Sequence, residues 1–159
     1  MGVNASAVKY GFDTDASVEL RDITDGAETH ATGATVTEAA ISLNELDAAY
    51  WHDNEIPYGV LAIAVNVSAA SDTIGDEVYA LELIVDDVVT VDDTPTVVAT
   101  MAVPRGVTGI YYMYVDARTI ELVDQETSGT DKWMAIRTTF SGATNPSITY
   151  GAWIAKSLR

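Results

Sequence analysis

Two histidines and a few paired carboxylates are the side chains with the most chemical reach in this 159-residue chain. His30 and His52 both lie in polar, loop-like stretches. Neither has a second ligand at a metal-binding spacing, and no Gly-x-Ser-x-Gly turn or other local pattern orients either ring as a base. Both read as exposed histidines. Asp86-Asp87, Asp92-Asp93 and the pair Asp13 and Asp15 are the strongest candidates for calcium or acid–base chemistry, since calcium takes hard oxygen ligands. The calcium loop of alternating acids, a central glycine and a closing glutamate is absent, and glycosidase carboxylates are defined by a separation in space. These pairs therefore read as solvated, negatively charged hairpins. Gly106-Val-Thr-Gly109 has neither the helix nor the lysine of a phosphate loop. With no cysteine in the chain, thiolate nucleophiles, disulfides and zinc–thiolate sites are excluded. No enzymatic activity is expected, and no catalytic residue, metal or cofactor is assigned.

The aromatic residues carry more information. Tyr111, Tyr112, Tyr114, Trp133, Tyr150 and Trp153 crowd the last third of the chain beside most of its basic residues. Aromatic and Arg side chains are the usual anchors of protein interfaces, and on alternating strands about half of them point outward. The competing reading is that they fill a core. A second group, Tyr50, Trp51 and Tyr58, lies on an apparent loop and could form a carbohydrate platform.

The elements that must position these residues are strands. Leu61, Ile63, Val65 and Val67 share one face of a period-2 run. The same alternation joins Tyr79, Leu81, Leu83 and Val85, then Val97, Ala99, Met101 and Val103. It continues in Ile110, Tyr112 and Tyr114, in Met134, Ile136, Thr138 and Phe140, and in Ile148, Tyr150, Ala152 and Ile154. Shorter candidates cover 16–21, 34–43 and 118–124. Turn formers such as Asp25-Gly26, Gly75-Asp76, Pro104-Arg-Gly106 and Ser141-Gly142 separate the runs. Eight or nine such strands predict an all-β, jelly-roll-like antiparallel sandwich with at most one or two short helices. The one helical spacing, Leu43, Leu46, Ala49 and Tyr50 after a capping box at Ser42–Glu45, covers roughly 43–51. A single domain is expected over 16–159, preceded by an arm, 1–15, that is either frayed or ordered on a neighbour.

Charge separates the two parts of the chain. Residues 1–100 hold 19 acids against only Lys9 and Arg21, a net of −17, whereas residues 101–159 hold 5 acids and 6 bases, a net of +1. A phosphate-backbone binder needs the opposite balance, so nucleic acid is not an expected partner, and neither is an anionic membrane. No export signal or apolar span long enough for a bilayer is expected. The charge serves solubility, or it leaves one acidic face and one nearly neutral face that docks.

The segment from Lys132-Trp-Met-Ala-Ile-Arg137 through Gly142-Ala-Thr-Asn-Pro-Ser147 to Trp153-Ile154 resembles the closing hairpin of small structural proteins of tailed-phage virions. Gly75-Asp-Glu-Val-Tyr-Ala-Leu-Glu-Leu83 is similar to an earlier strand of the same proteins. The group resembled is the Bbp16-like capsid cement, or decoration, proteins, over residues 35–156. The sequence departs from their pattern at Ala143, which lengthens the turn between Gly142 and Thr144. The resemblance implies a jelly roll, a dimeric or trimeric homo-oligomer, and a location on the capsid surface of a virion, bound to the major capsid protein after synthesis in the host bacterial cytoplasm. On composition and resemblance together, the expected contact residues are Lys9, Tyr10, Tyr111, Arg118, Trp133, Arg137 and Trp153. The rival expectation is a carbohydrate-binding sandwich of a phage tail or host-attachment structure, using Tyr50, Trp51 and Tyr58 with calcium at Asp86 and Asp87.

Overall fold

The computed structural model describes residues 19–31, 33–43, 60–91, 94–116, 119–120, 133–142 and 145–155. The strands are β1 (Glu19–Arg21), β2 (Glu28–Thr29), β3 (Thr35–Thr37), β4 (Ile41–Ser42), β5 (Val60–Ala70), β6 (Val78–Asp86), β7 (Thr96–Val103), β8 (Gly109–Asp116), β9 (Trp133–Ser141) and β10 (Ser147–Ala155). Sheet A runs β1-β10-β5-β8, with β2 also on β10, and sheet B runs β3-β9-β6-β7, with β4 also on β9. Every pairing is antiparallel.

Four of these pairings are nested in the sequence: β1 with β10, β3 with β9, β5 with β8, and β6 with β7. Successive pairs alternate between the sheets, which is the connectivity of one long hairpin rolled into two layers. This is a jelly roll, and the expected fold class holds.

The inner faces follow the alternation of the sequence. Leu61, Ile63, Val65 and Val67 of β5 meet Tyr79, Leu81, Leu83 and Val85 of β6 in one core, joined by Met134, Ile136 and Phe140 of β9 and by Ile148, Tyr150 and Ile154 of β10. Two tyrosines tie the layers through polar tips. Tyr150 of sheet A shares a 2.6 Å hydrogen bond with Thr138 Oγ1 of sheet B, both fully buried. Tyr79 of sheet B donates to the Ser71 carbonyl at 3.1 Å and accepts from the Ser147 amide at 3.3 Å. Buried hydroxyls must find such partners, because desolvating them unpaired costs about 1–3 kcal/mol.

Three bulges modify the pattern. At Val98 two β7 residues oppose one step of β6, so Val97 turns outward at 41% exposure while Val98 packs on the core. Val97 thus departs from the face expected for it. Ser68 is the extra residue of β5 against β10. In β1, Glu19 pairs with Trp153 and Arg21 with Ala152, leaving Leu20 as the extra residue. That third bulge turns both Leu20 and Arg21 inward, and both are buried. Bulges re-aim side chains in this way.

Two loops have clear local causes. Between β5 and β6 the buried Glu77 carboxylate accepts from the amides of Thr73, Ile74 and Gly75. Burial pushes its carboxyl up, but those amides and its own hold it below the ordinary carboxylate value. After β9, Gly142 has φ +91, and a Cβ there would lie 1.8 Å from the Asp76 carbonyl oxygen, so no other residue fits. The strand expected over 118–124 is not formed where it can be seen: residues 119 and 120 are helical. The expected helix over 43–51 lies outside the described residues except for Leu43, which is helical.

Candidate functional site

The outward face of sheet B brings two of the expected contact residues together. Met134, Ile136, Thr138 and Phe140 of β9 point inward and are buried, so Trp133, Ala135, Arg137 and Thr139 point outward. Trp133 lies opposite Asp86 of β6 and Ser42 of β4, and Arg137 opposite Glu82 of β6 and Thr37 of β3. Arg137 Nε donates to Glu82 Oε2 at 2.7 Å, each side chain keeping about one fifth of its surface exposed. Ala135 and Ile84 lie between these two pairs, sealed by Val91 with Ala40 and Trp133 against them. Val91 adopts φ +49, a conformation costly for a β-branched residue, and its full burial is what holds it there. The result is a stripe with an aromatic end, a sealed apolar middle and an ion-paired arginine end.

Asp86 is buried beside Trp133. Its Oδ1 accepts from the Asp87 amide at 2.8 Å. No group of three or more His, Cys, Asp or Glu able to hold a metal occurs among the described residues, so Asp86 and Asp87 are not assembled with further acids there. His30 is half-buried, its ring 5.2 Å from Phe140.

Beyond Trp133 a groove of about 510 Å³ opens between the edges of the two sheets, lined on one side by Glu19, Arg21, Asp22 and Asp25 and on the other by Glu38 and Ile41. Burial, with help from Asp22 and Asp25, raises the Glu19 carboxyl. Arg21 is the floor of this region. Its Nε donates to Glu28 Oε1 at 3.2 Å and to Glu38 Oε1 at 2.7 Å. Nη1 donates to the carbonyls of Tyr150 and Asp22, and Nη2 to that of Gly26 at 3.0 Å. The guanidinium also stacks on the Tyr150 ring, 4.6 Å from its centroid. Burial pulls the Arg21 pKa down, and Glu38 and Glu28 more than offset it.

The other expected contacts do not join Trp133 and Arg137. Trp153 is fully buried with Ala64 against Ala62 on the far side of sheet A and has no surface for a partner. Tyr111 turns inward and packs half-buried on the core, so the aromatics that β8 exposes are its neighbours Tyr112 and Tyr114, at 38% and 66%, with rings stacked 6.2 Å apart. One position along a strand decides this, because adjacent side chains take opposite faces. Lys9, Tyr10 and Arg118 lie outside the described residues, as do Tyr50, Trp51, Tyr58, His52, Asp13, Asp15, Asp92 and Asp93.

The Arg21 cluster was not anticipated. A signal for it exists: Arg21 is one of two bases among 19 acids in the first hundred residues, inside an apolar-patterned strand. A lone cation placed there is best explained by buried carboxylates that need it.

Comparison of the chain with protein-family profiles, with curated proteins and with solved structures gives no match.

Proposed function

We propose that this chain is a structural virion protein, a capsid cement (decoration) protein that binds the outer surface of an assembled capsid and stabilises it. The observation that carries the reading is the Trp133–Arg137 stripe on sheet B. It offers an aromatic and an Arg, the residue types most used as interface anchors, on strands rather than loops. Both residues are held in place, Trp133 by the Val91 cluster and Arg137 by Glu82, so little side-chain entropy is lost on docking. The acidic surplus of −16 supports the same reading, since like-charged particles stay dispersed.

The mechanism is linkage. A protein that binds the assembled lattice more tightly than its free subunits shifts the equilibrium toward assembly. Many symmetric copies, each dimeric or trimeric, multiply a modest single-site affinity. The reading assigns no catalytic residue and no cofactor, and its partner is the major capsid protein.

Co-sedimentation with assembled tailed-phage heads that lack this protein tests it. The wild-type chain should pellet with heads and raise their disruption temperature. Arg137→Ala should weaken binding roughly tenfold, about 1.4 kcal/mol, while its own melting curve stays close to wild type. A chain that stays in the supernatant with every head preparation refutes the assignment.

A further inference from the structure

The Arg21 cluster does not balance its charge. Glu28 on β2 and Glu38 just after β3 both accept from the same Arg21 Nε, while Nη1 and Nη2 donate to three backbone carbonyls, those of Asp22, Tyr150 and Gly26. Arg21 and Glu28 are buried, and the Glu38 side chain keeps only 16% of its surface. Two ionised carboxylates around one guanidinium leave a net charge of −1 where water screens it poorly. Glu28 Oε2 is buried and has no hydrogen-bond partner, and Glu28 Oε1 and Glu38 Oε1 accept from the same Arg21 N–H at 3.2 and 2.7 Å, which sets the two carboxyls side by side. One proton between the two carboxyls would neutralise the cluster and satisfy the orphan oxygen together.

We propose that Glu28 and Glu38 share one proton in the closed fold, and that this proton operates a latch fastening β3 and β4 of sheet B to the β1 edge of sheet A. Release of the proton to water takes the cluster from neutral to −1 and replaces the shared proton between Glu28 and Glu38 with repulsion between two carboxylates, which loosens the tie from the β3–β4 segment to β2. The strands it fastens are short, β3 pairing three residues and β4 two, both on β9, with the Glu38 amide on the Ile136 carbonyl and Val36 and Ile41 packed on the core. Opening would widen the groove between 19–25 and 38–42, whose walls carry the further acids Glu19, Asp22 and Asp25. From β10 the Tyr150 phenol faces the same cluster, but burial raises it well above its ordinary value, so it stays neutral. Among the described residues, the further ionisable groups on the groove walls are the acids Glu19, Asp22 and Asp25, which favour keeping the proton, and Arg21 is the cation that opposes them. Burial, then the hydrogen bond and charge of Glu28, push the Glu38 carboxyl up to about 7 against the pull of Arg21. The sign follows: the closed form binds the extra proton, so closure is favoured below the free-carboxyl value and weakens as pH rises through about 7. The latch is independent of what the protein binds.

Carboxyl-carbon NMR of the whole chain, with Glu28→Gln and Glu38→Gln used for assignment, reads the proton directly. One resonance of the pair should titrate near neutral pH, far above ordinary glutamates. Amide exchange at 35–42, corrected for intrinsic rates, should rise about tenfold between pH 5.5 and 7.5, and Glu38→Gln should remove that rise while leaving the segment protected. Two carboxyls that both titrate below pH 5, or an unchanged pH dependence in Glu38→Gln, would overturn the latch.

Discussion

The two open edges of the sandwich are built on opposite principles. At one, strands of two or three residues (β1 to β4) meet, and a buried ionic cluster joins them across the layers. At the other, β7 and β8 each run for eight residues, and residues 94–104 contain no ionisable side chain. The long edge is secured by its ladders on β6 and β5 and by the burial of Val103, Met113 and Val115. An edge with few backbone bonds needs specific side chains to specify it, and an edge with long ladders does not. The first should answer to pH and to single charge changes, and the second should be nearly indifferent to both.

The largest effect is expected at the short edge. Arg21→Met leaves Glu28 and Glu38 buried without their cation and should cost about 3–5 kcal/mol in urea unfolding at pH 8. Met101→Ala, on the half-buried inner side of β7, should cost only about 1–2 kcal/mol, because the edge is already partly open to water. Tyr150→Phe comes next. It strands the buried Thr138 hydroxyl and should cost about 1–3 kcal/mol in the same assay. An Arg21→Met loss no greater than that of Met101→Ala would break the comparison.

A pH series sharpens it. Glu77 has a lowered carboxyl value, so its contribution is complete above the unfolded-state value and is lost as pH falls through the folded one. Glu38 has a raised value, so its contribution is complete below about 4.5 and is lost as pH rises through about 7. Melting temperature should therefore peak on the acid side of neutrality. Glu38→Gln should flatten the alkaline limb and Glu77→Gln the acid limb, each leaving the other in place. The smallest effects belong to the surface of the long edge. Ala102→Lys on β7 and Arg105→Ala, which removes the exposed 3.1 Å pair with Asp72, should each change stability by less than about 0.5 kcal/mol.

Much of this architecture was legible in the residues, and the gaps have a common cause. Period-2 runs identified the six long strands and, in β5, β6, β9 and β10, the side facing the core, because a half-buried strand must alternate. Bulges at Leu20, Ser68 and Val98 depend on how two strands meet, and no single strand encodes them. That is why strict alternation would put Arg21 on the same face as Glu19, whereas the bulge at Leu20 turns it inside. Trp153 failed as a contact for a related reason. It does face away from the main core, as alternation requires, but the outer side of sheet A is covered at that point, and coverage is a property of the whole fold. Trp133 and Arg137 kept their outward positions because β9 is regular throughout.

A cryo-electron microscopy reconstruction of the source virion is the most direct test of the proposed role. It should show this jelly roll outside the capsid shell, with Trp133 and Arg137 of sheet B against the major capsid protein. Particles that carry no such density, or that hold the domain by the β7–β8 edge with sheet B facing solvent, would contradict the account.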